Sequence, residues 1–182
     1  MKALPDYIES SVQVLLVGIN PGLRSAQVGH HFAGHSNRFW KLLYEARLIT
    51  EPLNFRDDWR VPEWGLGLTN MIPRPTAGSA DLKQAEYHAS CHELKRKVER
   101  YQPAIVALLG LTLGSILDPM CRKPQDIEPS LQTRSKVGVQ PYRLADTQVF
   151  VLPNPSGRNA HYSYQIMLNL FQDLQRLREE GQ

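Results

Sequence analysis

Val12-Gln13-Val14-Leu15-Leu16-Val17 runs without a break into Gly18-Ile19-Asn20-Pro21-Gly22. The first stretch is short, apolar and rich in valine, the pattern of a strand buried on both faces. The second is a turn: Asn-Pro starts it, and glycine lets the backbone bend tightly. Strands of that kind belong to parallel sheets covered by helices, where ligands sit beyond the carboxyl ends of the strands. The arrangement recurs far along the chain, where Val149 to Leu152 runs into Pro153-Asn154-Pro155-Ser156-Gly157-Arg158. Two Asn-Pro turns, each closing a strand, predict one site bounded from two sides.

The intervening sequence fills in the layers. Ser36 can cap a helix in which Phe39, Leu42, Leu43 and Ala46 recur at helical spacing. Trp64 to Met71 reads as a strand weakened by Gly65 and Gly67. Ser79 or Asp81 can open a long helix carrying Leu82, Ala85, Leu94 and Val98, with Lys95-Arg96-Lys97 on a solvated outer face. Ala104 to Leu109 is another buried strand, and a short helix over Leu111 to Leu117 follows. The stretch Asp118 to Gly138 has three prolines and no periodicity, which predicts a surface excursion or a functional loop. Val139 to Leu144 and Thr147 to Leu152 read as strands joined by a tight turn at Ala145-Asp146. The last helix begins near Ser163 and aligns Ile166, Met167, Leu170, Phe171, Leu174 and Leu177. Alternating strands and helices predict an α/β fold: a three-layer sandwich with a mostly parallel central sheet flanked by helices. Residues 1–182 read as a single domain, with no linker to divide them.

At 42% hydrophobic and 21% charged residues, the composition is that of a globular protein. A net charge of +3 is compatible with a polyanionic partner without requiring one. Two cysteines, Cys91 and Cys121, are too few for a structural zinc or an iron–sulfur cluster unless histidines substitute. His30, His31 and His35 do not have the spacing of a metal-ligand set, so no metal is expected. Free thiols, and the lack of a leader or of an apolar run of ~20 residues, predict a soluble intracellular protein with no membrane partner. Gly65-Leu66-Gly67 precedes strand-like residues rather than a helix, which argues against a dinucleotide fingerprint. Gly110 to Gly114 lacks the Lys-Ser/Thr of a phosphate loop, and Ser156 in Pro-Ser-Gly is no hydrolase elbow.

Between the first turn and the helix at Phe39 lies Gly29-His30-His31-Phe32-Ala33-Gly34-His35-Ser36-Asn37-Arg38. Such a segment can wall a pocket for a planar ring, with Phe32 as the stacking face and Asn20 as a neutral polar tip; read alone, Phe32 is also compatible with a core aromatic. A further segment, Thr69-Asn70-Met71-Ile72-Pro73-Arg74-Pro75-Thr76, follows the second strand. In order and spacing over most of residues 12–175, these three motifs resemble the mismatch-specific uracil/thymine-DNA glycosylase family of the uracil-DNA glycosylase superfamily.

The resemblance implies hydrolysis of the N-glycosidic bond of a damaged pyrimidine, uracil opposite guanine first, with thymine or etheno-cytosine as further substrates. The target nucleotide is then flipped out of the duplex. Asn20 matches the position that holds the attacking water, and Phe32 the one that stacks on the flipped base. Backbone amides near Ile19 and Phe32 are candidates to bond the base, and Asn70 to tune which bases are accepted. Asn154 matches a position that reads the base or fixes the loop. Ser25 falls near the phosphate-facing end of the first loop. Ser156, Gly157, Arg158 and Asn159 belong to the loop that enters the duplex. Some relatives carry an apolar wedge there; Arg158 can instead stack its guanidinium and bond the widowed base. Arg74 is expected to brace its loop or meet a phosphate, and Arg24, Arg38, Lys41, Arg122 and Lys123 are further candidates. Neither Asn-Pro loop contains a lysine, so no lyase step is implied, and no cofactor is needed. The implied partner is double-stranded DNA with a damaged or mismatched base, bound by a monomer in the cytoplasm, or at the nucleoid in a bacterium. Two alternatives stay open: excision of deaminated purines such as xanthine or hypoxanthine, and a non-catalytic DNA damage-binding protein.

Overall fold

The computed structural model describes residues 2–121 and 137–181. Its centre is a sheet of five strands: β1 (Val14–Gly18), β2 (Leu66–Asn70), β3 (Ile105–Leu109), β4 (Gly138–Leu144) and β5 (Thr147–Leu152), in the order β2-β1-β3-β5-β4. β1, β2, β3 and β5 run parallel, and β4 pairs antiparallel with β5 at the edge. Val14 lies opposite both Leu66 and Ile105: the chain runs from β1 to β2 on one side and returns past β1 to β3 on the other, which makes a switch point between β1 and β3. A crevice beyond the carboxyl ends of the strands at such a point is the place for a ligand.

The period of two along each strand sorts the core into two halves. Val14, Leu16, Leu66, Leu68, Ala107, Leu109 and Phe150 face one side, where α2 (Phe39–Glu45) and α5 (Tyr164–Glu180) pack with Phe39, Leu43, Met167, Phe171 and Leu174. Leu15, Val17, Val106, Leu108, Val149 and Val151 face the other, against Cys91, Leu94 and Val98 of α3 (Gln84–Tyr101) and Leu113 and Leu117 of α4 (Leu111–Cys121). Central strands buried on both faces explain why their sequences carry no polar alternation. β4 does alternate, burying Gln140, Tyr142 and Leu144, and it tolerates Pro141 because it is an edge strand. This is the three-layer α/β sandwich with a mostly parallel sheet that the sequence predicts.

Local departures have physical causes. Ser36 does not cap α2: Asn37 Oδ1 accepts the Phe39 N–H at 3.0 Å, because Ser36 packs against Gly157. Ser79–Asp81 is a short 3₁₀ turn, and α3 starts at Gln84, where the Glu86 carboxylate accepts the Lys83 N–H at 2.8 Å. Leu82 therefore precedes that helix. α4 continues through Pro119 to Cys121, so Asp118 to Cys121 belong to a helix. Residues 122–136 of the expected loop, with Arg122 and Lys123, lie outside the described residues. In α5, Met167, Phe171 and Leu174 are buried while Ile166 is exposed. Two elements have no sequence forecast: α1 (Leu23–Val28), and a 3₁₀ segment over Phe55–Trp64 capped by Asn54. No helix among the described residues is long and apolar enough to cross a membrane.

Candidate active site

Asn20 follows β1 directly and faces the segment after β2. Its Nδ2 donates to the Arg74 carbonyl at 2.9 Å and to the Thr76 Oγ1 at 2.7 Å. Thr76 is buried, and its own hydroxyl donates to the Gly78 carbonyl at 2.7 Å, so towards Asn20 it is an acceptor. Both amide hydrogens thus have acceptors, and rotating the amide would set oxygen against oxygen. Oδ1 is left as a bare acceptor with no protein partner among the described residues. Backbone bonds hold the two segments in register: Met71 N to Gly18 O at 2.8 Å, Ile72 N to Ile19 O at 2.9 Å and Thr76 N to Pro21 O at 3.1 Å.

Beside Asn20, Gly18 forms the floor of a polar and aromatic corner. A β-carbon there would lie 2.7 Å from Asn70 Oδ1 and 3.4 Å from the Phe32 ring, so glycine is what lets these groups converge. Phe32 adopts φ of 52°, and its ring stacks on Phe39 with centroids 3.8 Å apart. One face of the Phe32 ring is therefore committed to the core.

Asn70 Nδ2 points to His31 Nδ1 at 3.4 Å, while His31 Nε2 meets the Pro5 carbonyl at 2.8 Å. A carbonyl only accepts, so His31 carries its proton on Nε2 and accepts on Nδ1. Burial pushes the His31 pKa down, partly opposed by that bond and by Asp58 and Asp6. Beneath it, the fully buried Asp58 carboxylate accepts the His31 backbone N–H at 2.8 Å and meets His30 Nδ1 at 3.0 Å. Asp58 comes from the unforecast 3₁₀ segment, so its role has no local sequence signal. Among the described residues, no three His, Cys, Asp or Glu side chains are grouped to hold a metal ion.

The second turn, after β5, is a self-bonded loop. Asn154 Oδ1 accepts the Ser156 N–H at 3.0 Å, Ser156 Oγ accepts the Arg158 N–H at 3.3 Å, and Asn159 Nδ2 donates to the Asn154 carbonyl at 3.0 Å. Gly157 presses against Ser36, whose carbonyl would lie 2.6 Å from any β-carbon at that position. Arg158 is exposed and reaches across to the segment after β2, its Nη1 donating to the Ala77 carbonyl at 2.8 Å. The segment after β2 therefore touches both sequence-predicted loops, through Asn20 to Arg74 and Thr76 and through Arg158 to Ala77.

A model of the uracil DNA glycosylase superfamily matches residues 5–175. The chain belongs to that superfamily. It is 36% identical over 175 residues to a G/U mismatch-specific uracil DNA glycosylase from Schizosaccharomyces pombe, covering 94% of this chain and 52% of that protein. The chain thus spans about half the length of the curated relative it matches. Its fold is shared with the solution NMR structure of a Methanosarcina acetivorans protein provisionally described as a uracil DNA glycosylase. There the TM-score is 0.63 at 16% identity, covering 96% of this chain and 98% of that one.

In this superfamily member several expected DNA-facing groups are turned inward. Ser25 is buried, and its Oγ accepts the Ala33 N–H at 3.0 Å; it shapes the first loop from inside and cannot meet a phosphate as placed. Arg24 Nε donates to the Ala33 carbonyl at 2.8 Å. Arg74 braces its loop, pairing with the Glu86 carboxylate at 2.7 Å and the Asp81 carbonyl at 3.1 Å. That contact, with the Lys83 N–H, holds the Glu86 pKa down to about 2. Lys41 pairs with Glu45 and lies over the Tyr164 ring. Asn159 is committed to its own loop through Asn154 and His161. Lys97 departs from the solvated face expected for it, meeting Asp6 at 2.6 Å and Thr69 Oγ1 at 3.0 Å. Ile19 is buried, its side chain close to Gly110.

Proposed function

We propose that this chain is a monofunctional DNA glycosylase that excises uracil, preferring uracil opposite guanine. The observation that carries the reading is the Asn20 amide, with both N–H hydrogens committed and Oδ1 left to accept a bond from water. The name and extent of the S. pombe relative support the same substrate. The flipped base would enter the corner formed by Gly18, Phe32 and Asn70, with backbone N–H groups near Ile19 and Phe32 as donors to its carbonyls.

In the reaction the C1′–N1 bond breaks first, and its electron pair leaves with the base. The sugar develops oxocarbenium character, so a weak nucleophile suffices. Water held by Asn20 Oδ1 attacks C1′, losing one proton to solvent or to the departing base. An amide is no strong base, and Asn20 therefore acts by position and polarisation; its loss is expected to cost roughly 10²–10⁴ in rate. The Ser156-Gly157-Arg158 turn would fill the gap left by the base, and Arg158 must release Ala77 to do so. The product is an intact abasic strand, and the enzyme works as a cytoplasmic monomer without a cofactor.

A panel of duplexes carrying U·G, U·A, T·G, etheno-C·G, hypoxanthine or xanthine tests the assignment under single-turnover conditions, with alkali to reveal abasic sites. The expected ranking puts U·G first. Preferential release of a purine would move the substrate class, and tight lesion binding with no release would make the protein a damage sensor.

A further inference from the structure

Arg38 stands among the candidate phosphate contacts of the sequence, yet its guanidinium is turned onto its own chain. Nη2 donates to the Ser156 carbonyl at 2.9 Å and the Asn159 carbonyl at 3.0 Å, and Nη1 and Nε approach the Tyr162 and Pro155 carbonyls at 3.4 and 3.5 Å. The Arg38 backbone N–H adds a bond to the Pro155 carbonyl at 3.0 Å. These carbonyls span a segment with no helix or strand of its own. One planar, charged fork therefore gathers four carbonyls that regular structure would otherwise satisfy. Among the described residues no carboxylate pairs with Arg38, so its full charge stays beneath the loop.

We propose that Arg38 is the positioning residue of base extrusion: it holds the 155–162 loop in the shape that presents Gly157 and Arg158 to the duplex. This rests on the glycosylase reading above. Arg38 acts through the loop and touches neither the scissile bond nor Asn20, so its work falls on opening the duplex rather than on hydrolysis. Two properties suit it to that task. The fork is rigid where a lysine ammonium is a point donor on a flexible stem. Its uncompensated charge also lies under a loop that would press against phosphates.

The test compares wild type, Arg38→Lys and Arg38→Gln on two substrates, uracil opposite guanine and uracil opposite a tetrahydrofuran abasic analogue. Stopped-flow fluorescence of a 2-aminopurine beside the uracil reports flipping. On U·G, both variants are expected to lose roughly 30-fold or more in single-turnover rate, with a matching loss of the flipping signal, because unstacking proceeds without a formed wedge. Opposite the abasic analogue no partner base has to be displaced, and the deficit is expected to shrink to within about 3-fold. Each preparation is compared with itself across the substrates, so loss of folded protein cancels. Equal deficits on both substrates, rates equal to wild type on both, or full rescue by lysine would overturn the proposal. If wild type excises from neither substrate, the glycosylase reading itself fails, and this inference fails with it.

Discussion

At the scale of the residue, Asn20 depends on the hydroxyl it leans on. Thr76→Val keeps the shape of the buried side chain but removes the acceptor of an Asn20 N–H and the bond to Gly78. The amide then keeps the Arg74 carbonyl as its main anchor, and its hold on the water loosens. Single-turnover excision is expected to fall by roughly 10- to 100-fold, within the range for a group that positions a proton acceptor. Thr76→Ser should restore it, and Thr76→Val in an Asn20→Ala background should add nothing; additive losses would show that Thr76 acts elsewhere. His31 makes a prediction in pH. Burial lowers its pKa from the ordinary 6.5, so the folded chain holds it neutral while the unfolded chain takes up a proton below that value. Its contribution to stability is present above about pH 6.5 and is lost as pH falls from there through the lowered folded value. Melting temperatures followed down this window should drop less for His31→Gln, which keeps a donor for Pro5 and an acceptor for Asn70. Parallel curves would assign the titration to other groups.

At the scale of the element, the sequence is clearest where one physical signal dominates. Val14 to Gly18 and Ile105 to Leu109 are apolar on both faces because helices cover both, and Ser163 caps α5 as its position before the periodic run implies. Its hydroxyl accepts the Ile166 N–H, so Ser163→Ala is expected to cost about 1 kcal/mol in denaturant unfolding with no change in excision. The Phe55–Trp64 segment was not legible for the opposite reason. Its aspartates, arginines and proline carry no clean period, and Asp58 earns its buried place through contacts to His30 and His31 far away in sequence. The same limit applies to Ser25, Arg24 and Arg38. A polar residue near a loop reads as a surface contact until the fold shows which carbonyl or N–H it satisfies. The sequence places Asn20 and Asn154 in turns after β1 and β5 and Asn70 at the end of β2, because parallel strands end on one side of the sheet; Phe32, which follows α1, has no such strand-end signal.

At the scale of the molecule, the two Asn-Pro turns lie at the same end of the sheet because β1 and β5 both flank β3 with the same polarity. The charge distribution follows the same inward economy. Arg74 is paired with Glu86, whereas Arg158 is exposed and bonded to one carbonyl. Arg158→Ala is therefore expected to reduce the slope of log affinity against log salt by about 1 on U·G duplex, and Arg74→Gln to leave it nearly unchanged. Equal slopes for all three proteins would mean that Arg158 does not reach the DNA. The central claim, hydrolysis by a water held on Asn20, is tested most directly by single-turnover excision from a labelled U·G duplex with wild type and Asn20→Ala. The expected result is an alkali-labile site formed by wild type, with a variant rate lower by roughly 10²–10⁴ while duplex binding persists. Equal rates for the two proteins would contradict the claim and move the water to another residue.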